Sequence, residues 1–102
     1  MITFTPSEID VIKNIFTQYL NNQTGKNVYH ITAEPATIDL LVNKEVIQIL
    51  SFLETTVAVE ITSFAKNYLF LCRLFVRFTD DIEHNHNALI AYFVNAYELG
   101  EN

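Results

Sequence analysis

Glycine and proline are scarce in this chain, and that scarcity constrains its fold more than any other feature. The 102 residues include two glycines and two prolines. Because these residues interrupt helices and strands, their scarcity predicts long regular elements with short connections. Half of the residues are hydrophobic, a composition that excludes an intrinsically disordered chain. The length is that of one domain, so we expect a single domain over residues 1–102 with one core.

The first helix has the clearest local signals. Thr5 is a good N-cap, Pro6 fits the first helical position, and Glu8 completes a capping box. An apolar stripe at helical spacing follows, formed by Ile9, Ile12, Ile15, Phe16 and Tyr19. The polar residues 21–25 end the helix, and Gly25 suits a left-handed cap.

Residues 28–42 predict a β-hairpin. Val28 to Thr32 is β-branched and aromatic, and the segment 37–42 alternates, with Ile38, Leu40 and Val42 on one face. The intervening residues 33–36 are typical of a turn. A helix that begins at Pro35 and continues to Leu53 is the alternative.

The middle of the chain predicts one helix and two strands. Asn43 can cap a helix with Val46, Ile49, Leu50 and Leu53 on one side. The alternation of residues 57–62 is typical of a half-buried strand, and residues 68–78 predict a long strand that carries Arg73 and Arg77 on one face. The second of these segments also fits a helical period, which leaves a helix as the alternative.

A polar connection over residues 79–86 precedes a final helix that we expect to begin at Asn87 and end at Leu99–Gly100. This helix carries two apolar stripes, so it is either deeply buried or packed against a second partner. The predicted order α-β-β-α-β-β-α indicates an α+β fold, with a small antiparallel sheet of about four strands and three helices. An all-α bundle is the alternative.

The chain is acidic, and its charge is uneven. The net charge is −6, and residues 80–102 contribute five acidic residues and no lysine or arginine. Direct binding to nucleic acid requires a basic surface, so we expect none. The N-terminus lacks the segments of a signal peptide, and the longest apolar stretch, residues 68–78, is too short to span a membrane. We expect a cytoplasmic protein that does not bind membranes.

No pattern of catalytic residues is present, so we predict a protein that is not an enzyme. Cys72 lies in an apolar run, typical of a buried thiol. His84 and His86, with Asp80, Asp81 and Glu83, could ligate a metal, but their spacing matches no strong zinc pattern. We predict a solvated loop there and neither metal nor cofactor. Arg73 and Arg77 form one positively charged patch, which we expect to pair with Glu54 or Glu60; anion binding is the alternative.

The remaining candidate is a binding surface in the C-terminal quarter. Acidic residues there would steer a basic partner, and aromatic side chains would anchor it. The predicted partner-binding residues are Asp80, Asp81, Glu83, Tyr92, Tyr97 and Glu98. A core position for the two tyrosines is the alternative.

These observations favour a small binding protein that inhibits a basic protein partner by covering its surface, as toxin-immunity proteins, antitoxins and phage anti-defence proteins do. The first alternative is a homo-oligomeric structural or accessory subunit, with a homodimer formed through the C-terminal helix. The second is a metal-binding protein that uses His84 and His86.

Overall fold

Four helices and one three-stranded antiparallel sheet form the structure, a computed structural model that describes residues 3–22 and 24–100. The order is α1 (Pro6–Asn21), β1 (Tyr29–Ile31), α2 (Pro35–Asn43), β2 (Ile47–Phe52), β3 (Val57–Ile61), α3 (Ser63–Phe75) and α4 (Ile82–Gly100). The predicted α+β class is confirmed, with one more helix and one fewer strand than expected.

Helix α1 begins as its sequence predicts. The Thr5 hydroxyl accepts a hydrogen bond from the Glu8 backbone N–H at 3.2 Å, and Glu8 Oε1 accepts from the Thr5 N–H at 3.0 Å. These two bonds satisfy backbone donors that a helix N-terminus leaves unpaired. The helix ends at Asn21 with Asn22 as its C-cap, and Gly25 adopts its left-handed conformation in the loop beyond, rather than at the cap.

The sheet has the order β1-β3-β2, so that β3 lies in the centre. Tyr29 pairs with Val59, and Ile47 pairs with Ile61, on the face that is buried against the helices. The opposite face carries polar residues, among them the exposed His30 and Gln48. The alternation that predicted a half-buried strand at residues 57–62 is confirmed by β3.

The predictions for residues 35–53 are wrong in two elements. Residues 37–42 belong to α2, where Thr37, Ile38 and Leu41 are buried at helical spacing. The chain turns at Glu45, whose φ of 62° lies in the left-handed region, and residues 47–52 form β2 instead of a helix. The helix alternative from Pro35 was correct in its start, but it ends at Asn43 rather than Leu53.

The predicted strand over residues 68–78 is also wrong, because most of this segment belongs to α3. Thr62 caps α3 by accepting a hydrogen bond from the Ala65 N–H at 3.0 Å. The buried residues Ala65, Leu69, Cys72 and Val76 follow a helical period. The alternative helical prediction for this segment is therefore the correct one.

Helix α4 begins at Ile82, five residues before the predicted start. The Asp81 carboxylate accepts a hydrogen bond from the His84 N–H at 3.1 Å and so caps the N-terminal turn of α4. Both apolar stripes of α4 are largely covered within the chain, since Leu89, Ile90, Phe93 and Tyr97 are buried. Phe93 packs edge-on against Phe16 of α1, with ring centroids 4.9 Å apart.

A candidate binding surface

Helix α3 is apolar on two faces, and the fold covers only one of them. The inner face lies in the core, whereas four large side chains on the outer face are exposed. Their exposed fractions are 68% for Phe70, 51% for Leu71, 70% for Leu74 and 70% for Phe75. We call these four residues the α3 apolar face.

The spacing of the four residues places them together. Phe70 and Leu74, like Leu71 and Phe75, are four residues apart, and Leu71 and Leu74 are three apart, so neighbouring side chains join the four into one surface. A contiguous apolar patch that a fold leaves in water is typical of an interaction site, whereas isolated exposed apolar residues are ordinary. The α3 apolar face is therefore the strongest candidate for a binding surface among the described residues.

The apolar surface continues from α3 to the start of α4. Phe70, Leu74 and Phe78 line a cavity of about 390 Å³ together with Arg73. Phe78 also lines a second cavity, of about 220 Å³, which contains Ile82 of α4. Because Phe78 belongs to both cavities, the α3 apolar face reaches the turn between the two helices.

Acidic side chains occupy that same turn. Asp80 and Asp81 lie between Phe78 and Ile82 in the chain, and Glu83 is in the first turn of α4; all three are exposed. We call Asp80, Asp81 and Glu83 the acidic corner. With Arg77, residues 77–83 hold one positive and three negative charges, for a net charge of −2.

Hydrogen bonds order the acidic corner. The Asn85 side chain accepts from the Thr79 N–H and donates to the Thr79 carbonyl, both at 2.8 Å. The Asp81 N–H donates to the Thr79 hydroxyl at 3.1 Å. The Thr79 and Asn85 side chains thus hold the backbone of the acidic corner beside the apolar surface, which limits the entropy that it would lose on binding.

The structure separates the other predicted partner-binding residues. Tyr92 is half exposed on α4. Tyr97 is fully buried, and its hydroxyl donates a hydrogen bond to the Lys44 carbonyl. Its ring contacts those of Phe4, Phe64, Tyr68 and Phe93. Glu98 is half-buried and lines a cavity between α1 and α4. Tyr97 is therefore a core residue, as the alternative interpretation had it.

The other residues with the chemistry of a metal or nucleophilic site are His84, His86 and Cys72. His84 and His86 are two residues apart on a helix, a spacing that points their side chains in different directions. Within residues 3–22 and 24–100, no group of three or more His, Cys, Asp or Glu side chains could hold a metal ion. Cys72 is buried, and this burial raises the pKa of its thiol, which opposes a nucleophilic role.

Sequence reasoning missed the α3 apolar face because it assigned this segment to a strand. A signal was present, because the helical alternative for residues 68–78 has more large apolar residues than one face of a helix can bury. In contrast, the acidic corner was identified correctly as exposed, because charged residues in a polar connection are seldom buried.

Comparisons with protein-family models, curated proteins and solved structures give no match to this chain. Within the described part of the chain, none of the helices has the length and apolar character that a bilayer span requires.

Proposed function

We propose that this chain is a non-enzymatic binding protein that inhibits a basic protein partner by covering part of the partner's surface. The observation that carries the proposal is the α3 apolar face beside the acidic corner. The first would supply contact energy and the second would attract positive charge. This division of roles is common at protein interfaces, where buried apolar residues anchor and charges steer association.

The anchors differ from those predicted from sequence. Phe70, Leu74 and Phe75 replace Tyr97, because they are exposed whereas Tyr97 lies in the core. Asp80, Asp81 and Glu83 keep their predicted role. Tyr92 remains a candidate contact at the edge of the proposed interface, because it is half exposed.

Charge favours a basic partner over a second copy of this chain. Two copies would each bring a net charge of −6 to the contact. Like charges in an interface oppose association. A toxin, or another protein with a basic apolar surface, fits the same surface without that cost.

Affinity capture from a lysate of the source organism tests the proposal when paired variants are used. Phe70→Gln/Phe75→Gln removes two anchors from the α3 apolar face. Leu50→Gln/Phe52→Gln is the matched control, because these residues are also exposed but lie on β2. We expect a basic protein that the wild type and the control retain and that the α3 variant loses.

Light scattering on the purified protein tests the homo-oligomer alternative. The proposal predicts a monomer. A stable dimer that Phe70→Gln/Phe75→Gln dissociates would show instead that a second copy occupies the surface, and the proposal would fail.

A further inference from the structure

A cationic cavity lies beside the α3 apolar face, on the flank of α3 that carries Lys66 and Arg73. It has a volume of about 300 Å³, and three of the chain's six basic residues line it: Lys26, Lys66 and Arg73. The other lining residues are uncharged: Tyr19, Leu20, Asn22, Gly25, Asn27 and Tyr29. In an acidic protein, this is a local concentration of positive charge from two separate segments, the α1–β1 loop and helix α3.

The three cations are not neutralised by carboxylates. The nine described residues that line the cavity include no Asp or Glu. Among residues 3–22 and 24–100, the one salt bridge joins Lys44 to Glu8 and lies elsewhere. The expected pairing of Arg73 and Arg77 with Glu54 or Glu60 is not observed among the described residues.

Arg73 is instead held by a neutral group. Its guanidinium donates a hydrogen bond to the Tyr19 hydroxyl at 2.8 Å and lies 5.6 Å from the centre of the Tyr19 ring. A guanidinium has five N–H donors, so this bond leaves others for a ligand. The contact fixes the position of Arg73 while its charge remains uncompensated.

The loop that carries Lys26 is also positioned by hydrogen bonds. The Asn22 side chain donates to the Lys26 carbonyl at 2.6 Å. The Asn27 side chain donates to the Ile61 carbonyl at 2.8 Å and accepts from the Ile61 N–H at 3.2 Å, which ties the loop to β3. Burial raises the pKa of the Tyr29 hydroxyl, an effect that hydrogen bonding with Asn22 opposes. That hydroxyl therefore stays uncharged at neutral pH and does not repel an anion.

We propose that this cavity binds a phosphate group, carried by a small phosphomonoester or present as the free ion. A phosphate group carries a charge of about −1.5 to −2 and three strong acceptor oxygens, so it can balance several cations, whereas a carboxylate carries a single negative charge. The cavity volume is at the lower end of the range for small-molecule sites. The inference does not rest on the proposed partner binding, because the three cations are not among the proposed partner contacts, although Lys66 and Arg73 neighbour Phe70 on α3.

Titrations followed by ¹⁵N–¹H NMR at constant ionic strength test this inference. The probes are inorganic phosphate, glycerol 3-phosphate and acetate. We expect saturable shifts of the amides around Lys26, Lys66 and Arg73 with both phosphate probes and none with acetate. Tighter binding of glycerol 3-phosphate would assign the site to phosphomonoesters, and equal affinities would assign it to the free ion.

Charge-neutralising variants locate the site. Lys26→Gln and Lys66→Gln should each weaken binding about fivefold, the effect of one partly exposed charge contact, and the double variant about 25-fold. Both lysines are exposed, so the fold should tolerate these changes. Lys13→Gln makes the same change in net charge away from the cavity and should leave the affinity unchanged.

Two results would overturn the inference. The first is the absence of saturable shifts with either phosphate probe at millimolar concentration. The second is a loss of affinity in Lys13→Gln that equals the loss in the cavity variants, because binding would then reflect only overall charge.

Discussion

The pair formed by Lys44 and Glu8 allows a quantitative prediction about what stabilises this fold. The Glu8 side chain is fully buried, and Lys44 Nζ lies 2.7 Å and 2.6 Å from its two carboxylate oxygens. The same ammonium donates to the Thr3 carbonyl at 2.8 Å and lies 5.1 Å from the centre of the Phe4 ring. Lys44, at the C-terminal end of α2, thus compensates the buried negative charge of Glu8 in the first turn of α1.

Lys44→Met should lower the free energy of unfolding by about 3 kcal/mol. Removing one partner of a buried ion pair costs about 3–5 kcal/mol because the other charge stays buried without compensation. The lower end applies here because the Lys44 side chain is 19% exposed. Methionine keeps the apolar contact with Phe4, and the bond from Tyr97 to the Lys44 backbone carbonyl is unaffected.

Glu8→Gln should cost less, about 1–2 kcal/mol, because the amide oxygen can still accept from the Thr5 N–H and the remaining Lys44 charge can reach water. The double variant Glu8→Gln/Lys44→Met should be more stable than Lys44→Met alone, since no uncompensated charge then remains.

Urea unfolding at pH 7, followed by circular dichroism, measures these differences. Lys13→Met, at an exposed position of α1, is the control and should change the stability by less than about 0.5 kcal/mol. The reasoning is refuted if Lys44→Met is as stable as the control, or if Glu8→Gln costs more than Lys44→Met.

Three further predictions concern the cap of α1 and the core. Thr5→Ala should lower the free energy of unfolding by about 1 kcal/mol, the cost of a lost N-cap, and an unchanged urea midpoint would contradict this. Phe93→Ala should cost about 3–5 kcal/mol because it removes a fully buried ring; a cost below about 1 kcal/mol would place that ring outside the core. Cys72 should react with a thiol reagent at pH 8 far more slowly in the native protein than in urea, since burial raises its pKa; equal rates would show an accessible thiol.

Local sequence patterns were sufficient to predict some of the helices and strands. Helix α1 could be predicted because Thr5, Pro6 and Glu8 form a capping box whose hydrogen bonds involve no other element. Strand β3 could be predicted because its alternation, Val57, Val59 and Ile61, matches its position in the centre of the sheet.

Other elements depend on contacts that are remote in sequence. Residues 47–52 form a strand because β3 pairs with them, after a chain reversal at Glu45 in a left-handed conformation that residues other than glycine seldom adopt. The run from Tyr68 to Phe78 fits both a strand and a helix period, and Thr62, the N-cap of α3, lies in the segment 57–62 that was predicted as a strand.

In the candidate site, too, the sequence predicts the exposure of some residues and not of others. The exposure of Asp80, Asp81 and Glu83 follows from their charge. The exposure of Phe70 and Phe75 does not follow from their chemistry, because it depends on which face of α3 the other elements cover. Sequence patterns identify apolar residues, but the packing of the whole chain decides which of them remain in water.

The central claim is that the α3 apolar face and the acidic corner together bind a basic partner. The rate constants of association and dissociation with the captured partner test it most directly. Phe70→Gln/Phe75→Gln should increase the dissociation rate constant about 30-fold or more, as the loss of an interface anchor does.

The acidic corner should affect the association rate constant. Asp80→Asn/Asp81→Asn/Glu83→Gln should slow association, with a smaller dependence on salt, and asparagine at position 81 can still accept the bond from the His84 N–H. Glu34→Gln/Asp39→Asn/Glu54→Gln removes the same charge from other exposed positions and should change association less. Equal effects of the two charge variants, together with an unchanged dissociation rate in the α3 variant, would contradict the account.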